Sequence, residues 1–161
     1  MEKIVIEKDE REVIYSSTLI YIDVLDEGEI SGAFRNLHSP ADVPFYNIAE
    51  LFLRLDHRLD ELNSPQAFMA RRTWRVKKKT HPKGYYAGPI QRPDRISDEE
   101  IAHRCGKEAT LLLQVYTRQN ASWQGTVQWL EGRKTLCFRS ALELLWLLYE
   151  AAAKQDMQKV I

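Results

Sequence analysis

The chain has 161 residues, no formal net charge, 44% apolar and 29% charged residues. These are ordinary values for a globular chain holding one sizeable domain or two small lobes with a shared core, and no run approaches the roughly 18 apolar residues of a membrane-spanning helix. The neutral total conceals a polarity: residues 1–64 carry 6 basic and 14 acidic side chains, residues 65–95 carry 9 and 1, and residues 96–161 carry 8 of each, so a polyanion would find its cations in the middle stretch.

At the N-terminus, charges interrupt the apolar residues of Met1 to Glu7, which argues against a signal peptide, and Glu2 to Glu7 is expected to add an edge strand. Thr18 to Leu25 is apolar and β-prone, Asp26-Glu27-Gly28 reads as a turn, and Glu29 to Leu37 alternates, with Ile30, Gly32 and Phe34 sharing one face. After the loop His38 to Asp42, Asn47 is a helix N-cap with Glu50 as its reciprocal partner. Ile48, Leu51, Phe52, Leu55, Leu59 and Leu62 then fall on one helical face.

The connector holds Pro65, Pro82, Pro89 and Pro93. Ala67 to Lys77 reads as a strand, because Phe68, Trp74 and Val76 share a parity, and Lys77 to Tyr86 as an exposed loop. Ser97 and Glu100 form a second capping box, opening a short helix that Gly106 is expected to end.

Beyond it, Thr110 to Arg118 is a strand, Gln119-Asn120-Ala121 a turn, and Ser122 to Leu130 a half-buried strand with Trp123, Gly125, Val127 and Trp129 on one side. Glu131-Gly132 turns the chain into a third strand, Arg133 to Phe138. Ser140 and Glu143 make a third capping box, and a helix follows from Ala141 to about Ala153.

The two ends match each other. At an offset of 93 residues, Gly32 falls on Gly125, Leu37 on Leu130, Phe45 on Phe138, Glu50-Leu51 on Glu143-Leu144, and Leu55 on Leu148, without a gap. The expected fold is therefore α+β: two duplicated βββα units about a pseudo-twofold axis, forming one antiparallel sheet or two abutting sheets with helices on one side. The divisions are 1–64 (first unit with the N-terminal strand), 65–108 (basic connector with a strand and a short helix) and 109–161 (second unit). Both mid-strand glycines are expected to let a helix approach closely.

Two resemblances attach to the second unit. Its segments NASWQG, from Asn120, and FRSALEL, from Phe138, resemble an N-x-S-W-Q-G … F-R-S-x-x-E-L pattern in small bacterial proteins, which implies a bacterial, cytoplasmic origin and no activity. Asn120, Ser122 and Gly125, with Arg71 and Arg75 as an R-x-x-x-R companion, are similar to the two half-motifs of PilZ domains, which would imply a bound cyclic dinucleotide. Against that, the chain turns helical after Phe138 instead of continuing a six-stranded barrel, and the repeat already accounts for Gly125.

The chemistry-bearing residues are sparse. Cys105 and Cys137 lack metal-type spacing and read as free thiols, one of them buried. His38, His57, His81 and His103 form no metal pattern; His103 with Glu100 and Cys105 is the nearest approach to one. No phosphate loop, nucleophile elbow or paired-carboxylate signature appears. The reading is a non-enzymatic, cytoplasmic binding or regulatory module with no catalytic residue, metal or cofactor. Its expected partner is a protein, either a second copy or another chain, docked on the apolar helix 141–153. A nucleic acid is the alternative partner, held by Arg71, Arg72, Arg75, Lys77, Lys78, Lys79 and Lys83 beside Trp74, Tyr85 and Tyr86. In that stretch the arginines are expected to pack locally and the lysines to stay solvated. A third possibility is a sensor with a small molecule between the repeats.

Overall fold

The computed structural model describes residues 16–39, 41–63, 65, 67–75 and 94–153. The expected strand Glu2–Glu7 and the lysines Lys77, Lys78, Lys79 and Lys83 lie outside these residues. Within them the fold is α+β, and its strands make one six-stranded antiparallel sheet. In chain order the elements are β1 (Thr18–Asp26), β2 (Glu29–Asn36), β3 (Val43–Phe45), α1 (Ile48–Leu62), α2 (Asp98–Ala102), β4 (Ala109–Thr117), β5 (Gln124–Trp129), β6 (Lys134–Phe138) and α3 (Ala141–Ala153). The sheet order is β3-β2-β1-β4-β5-β6, so the strands from each half lie together and β1 meets β4 at the centre.

Alternation along the strands divides the sheet into two faces. One carries Ile20, Ile22, Phe34, Leu111, Leu113 and Val127, and packs under Leu51, Leu55 and Leu59 of α1 and Leu144 and Leu148 of α3. The other carries Leu19, Tyr21 and Leu112 and is covered by Ile101 of α2 together with Ile96. Helices therefore lie on both sides of the sheet, and the one-sided cover expected from the repeat is corrected by the connector, whose short helix gives the centre of the back face a roof. Arg104, just beyond that helix, lies 4.5 Å from the Tyr21 ring centroid and pairs with Asp42 and Asp23. Burial pushes the Tyr21 phenol above its usual range, against the pull of Arg104 and Arg35.

The two halves share more than element order. β1 pairs with β4 from Thr18↔Leu113 to Ile22↔Ala109, and Leu19 faces Leu112, its own counterpart at the 93-residue offset. The ladder β1–β2 slips between Ile22 and Val24, and β4–β5 slips between Val115 and Thr117, at corresponding positions. Gly32 faces Phe45 and Gly125 faces Phe138.

The slips explain the glycines. A Cβ on Gly32 would land on the Tyr21 carbonyl oxygen, and one on Gly125 on the Gln114 carbonyl oxygen, with the Val115 Cα 3.0 Å away. The close neighbour is thus the backbone of the bulged adjacent strand, not a helix as the sequence suggested, because a bulge tilts one carbonyl out of the ladder toward the facing strand.

The helix starts follow the sequence. Asn47 Oδ1 accepts the Glu50 amide at 2.8 Å, and Glu50 Oε2 accepts the Tyr46 amide at 3.2 Å. Ser140 Oγ accepts the Glu143 amide, while the Glu143 carboxylate turns to Arg139 Nε at 2.8 Å. Gly106 does not end α2; that helix stops at His103, and Gly106 instead fits where a Cβ would press on the Ile22 backbone. Both cysteines are exposed, Cys137 because it faces outward on the edge strand β6 and Cys105 because it lies in the loop past α2.

Trp129 supplies a stability test. Its Nε1 is buried without a hydrogen-bond partner among the described residues, and its ring fills the space over Gly132. Trp129→Phe keeps an aromatic ring there and removes an unsatisfied donor, whose burial costs about 1–3 kcal/mol. The unfolding free energy from chemical denaturation is expected to stay within about 1 kcal/mol of wild type, although truncating a large buried aromatic usually costs about 3–5 kcal/mol. Trp129→Ala should show that larger loss.

Candidate polyanion-binding surface

β1 pairs with β4 only as far as Leu113, yet β4 runs on to Thr117. Two substitutes complete that side of the strand. Ser16 Oγ donates to the Val115 carbonyl at 2.7 Å and accepts its amide at 3.1 Å, standing in for a strand neighbour. Past it, Ala67 forms an isolated parallel bridge with Arg118, and the Phe68 amide donates to the Arg118 carbonyl at 3.4 Å. Over the described residues 67–75 the expected strand is reduced to this bridge, since β4 has already ended at Thr117.

An ion cluster secures the bridge. The Arg118 side chain is 5% exposed and donates from Nη1 to Asp60 Oδ1 at 2.7 Å and from Nε to the Pro65 carbonyl at 2.8 Å. Asp56 Oδ1 lies 3.7 Å from the same nitrogen and accepts Trp123 Nε1 at 3.1 Å. The Trp123 ring in turn leans on Phe52, with centroids 5.2 Å apart. Asp56 and Asp60 sit one turn apart on α1, so a helix, a hairpin and the outgoing chain meet on one guanidinium. That charge is spent inside the fold; its role is to fix where residues 67–75 leave the body.

From Phe68 to Arg75 the segment so launched is exposed, including Arg71, Arg72 and Arg75. Phe68 and Met69 are exposed, and Trp74 is fully so at 105%. The local packing expected for the arginines does not bury them: all three are exposed, and among the described residues no strand pairs with the segment past Ala67. The turn beside the bridge, Gln119 to Ala121, is exposed too. Asn120 (φ 55°) and Ala121 (φ 54°) are both left-handed, and the Ser122 amide closes on the Gln119 carbonyl at 3.0 Å, a tight hairpin turn of the primed kind.

The residues that resemble the PilZ half-motif have work of this kind. Asn120 makes the turn, Ser122 Oγ accepts the Ala141 amide at the start of α3 at 2.9 Å, and Gly125 clears the bulge. His103, Glu100 and Cys105 do not converge: His103 ends α2, Glu100 pairs with Arg35 at 3.1 Å and Cys105 lies exposed beyond. Among the described residues no three His, Cys, Asp or Glu side chains are grouped to hold a metal ion, and no helix is long and apolar enough to cross a membrane. Between the halves β1 and β4 pair directly, with Leu19, Ile20, Ile22 and Leu111 to Leu113 all buried.

The sequence reading missed Arg118, taking it as the last residue of a strand. The available signal was the i,i+4 pair Asp56 and Asp60 on a helix whose apolar face was already assigned, two carboxylates one turn apart that one guanidinium can bridge. No protein-family model, curated protein or solved structure matches the chain.

Proposed function

We propose that the chain is a non-enzymatic binding module that presents residues 67–75 to a single-stranded nucleic acid. The observation that carries this reading is Trp74, fully exposed between Arg71, Arg72 and Arg75 on a segment anchored at its base. Exposed rings stack on bases and guanidinium groups meet phosphates, and the combination tolerates any sequence. The lysines Lys77, Lys78, Lys79 and Lys83 extend the same run of charge along the sequence.

The body behind this segment is read as a duplicated βββα unit with a twofold axis through the Leu19–Leu112 pair. Supporting this are the matched bulges, the matched Gly–Phe pairs and the shared 93-residue spacing of the elements. Duplication leaves the connector as a part without a counterpart in the other half, where a function not shared by the halves would reside.

The test is a fluorescence-anisotropy titration of a labelled oligothymidylate of about 12 nucleotides, within the range one binding surface covers. Binding at about 50 mM salt should fall steeply by about 200 mM. Trp74→Ala should weaken it roughly fivefold to a hundredfold, the loss of one base stack, and a triple Arg71→Glu, Arg72→Glu, Arg75→Glu variant should abolish it with an unchanged far-UV spectrum. No binding at low salt, or binding indifferent to Trp74→Ala, overturns the reading.

A second reading has its own observation. On α3, Leu142 and Trp146 stay exposed one turn apart although most of the helix is apolar. A protein partner, either another copy of the chain or a different protein, would cover them. Sedimentation of the free chain at rising concentration distinguishes the two occupants.

A further inference from the structure

We infer that β6 is a docking edge for an extended segment of a partner protein, one with an apolar centre flanked by acidic residues. The two ends of the sheet are built differently. β3 is a three-residue edge with Pro44 in its middle, and proline cannot donate to a ladder, so that edge is blunted. At the other end β6 is five residues long, contains no proline or glycine, and is the last strand of the sheet among the described residues. Lys134, Thr135, Leu136 and Cys137 are all exposed. A strand placed beside them would gain main-chain hydrogen bonds irrespective of its sequence.

Side chains set the chemistry of that strand. Leu136 is 54% exposed and shares its parity with the buried Phe138, so it lies on the face covered by the helices. A partner residue beside it would be apolar. Lys134 begins the strand and Arg139 follows it. Arg139 is held by Glu143 through Nε, with its side chain 88% exposed, and a guanidinium carries further donors for a second carboxylate. The edge therefore has a cation at each end and no acid between. A second copy pairing antiparallel about Leu136 would bring Lys134 toward the partner's end of the strand where Arg139 lies, setting like charges together. Acidic residues on a different chain meet both cations instead.

The probes are two seven-residue peptides with the same Thr-Val-Ile-Val-Thr centre, one flanked by glutamates and one by lysines. Each is titrated into the full chain labelled for amide NMR. The acid-flanked peptide is expected to shift the amides of residues 134–139 and to bind at least about tenfold more tightly than the lysine-flanked one. A Lys134→Glu, Arg139→Glu double variant should reverse that preference; its sites are exposed, so the rest of its spectrum should match wild type. Equal binding of the two peptides, shifts confined to other strands, no binding at all, or dimerisation of the free chain through residues 134–138 would each overturn the inference. The oligothymidylate titration addresses another surface, so its outcome and this one fail separately.

Discussion

Gly125→Val is expected to cost about 3 kcal/mol or more, a large share of the roughly 5–15 kcal/mol that holds an ordinary domain folded. The added Cβ would lie 1.9 Å from the Gln114 carbonyl oxygen, with the Gln114 carbonyl carbon at 2.9 Å and the Val115 Cα at 3.0 Å. These are backbone atoms of β4, held by β5 on one side and at Val115 by Ser16 Oγ on the other, so they have no rotamer to adopt. Even Gly125→Ala should lose most of that amount, and Gly32→Ala should match it, because the Tyr21 carbonyl stands in the same relation to Gly32. Ser122→Ala removes one hydrogen bond to the Ala141 amide and should cost about 1 kcal/mol. Chemical denaturation followed by circular dichroism ranks the four variants. If Gly125→Ala melted beside wild type, the close approach of β5 to the β4 bulge would be wrong. A cyclic-dinucleotide site at Asn120 and Ser122 would give the other ranking, with ligand binding lost in variants of wild-type stability.

The parts of this fold that were legible in the sequence are those encoded by periodicity and by capping. Ile30, Gly32 and Phe34 share a face because strands alternate, and Leu51, Leu55 and Leu59 line one side of α1 because helices return every three to four residues. Asn47 and Glu50, or Ser140 and Glu143, mark helix starts because free amides there need acceptors within three residues. Relations between distant segments were harder to read. Nothing local says that the bulge at Val115–Thr117 gives Gly125 its neighbour, or that α2 closes the back face over Leu19 and Leu112. The strand expected from Ala67 failed for the same reason. Parity was present in Phe68 and Trp74, but a strand also needs a vacant ladder, and β4 offered it one residue. Of the candidate surface, composition pointed to the arginines; their exposure depends on where Arg118 ties the chain down, a contact 53 residues away from Pro65.

Arg118→Ala is expected to cost about 2–3 kcal/mol and to weaken oligothymidylate binding without removing any group that would touch it. Breaking a buried ion pair generally costs about 3–5 kcal/mol, mostly from the partner charge left without solvent. Here the partners are half-open, with the Asp56 side chain 42% exposed and Asp60 31%, so both can rehydrate and the loss is smaller. Arg118→Lys should recover part of it: an ammonium can reach Asp60, but it lacks the planar fork that spans Asp60 and the Pro65 carbonyl together. A double-mutant cycle with Asp60→Ala should return a coupling of about 1–2 kcal/mol, since the two side chains share one hydrogen bond at 2.7 Å. The binding effect follows from order. With the Pro65 contact gone, residues 67–75 are held less firmly at their base, and more of the ordering of Trp74 and its arginines falls to the ligand. Affinity measured well below the melting point of both proteins should therefore fall in Arg118→Ala and less in Arg118→Lys. Additive costs in the cycle would refute the anchor, and unchanged affinity at full loss of the coupling would separate it from the surface it is proposed to hold.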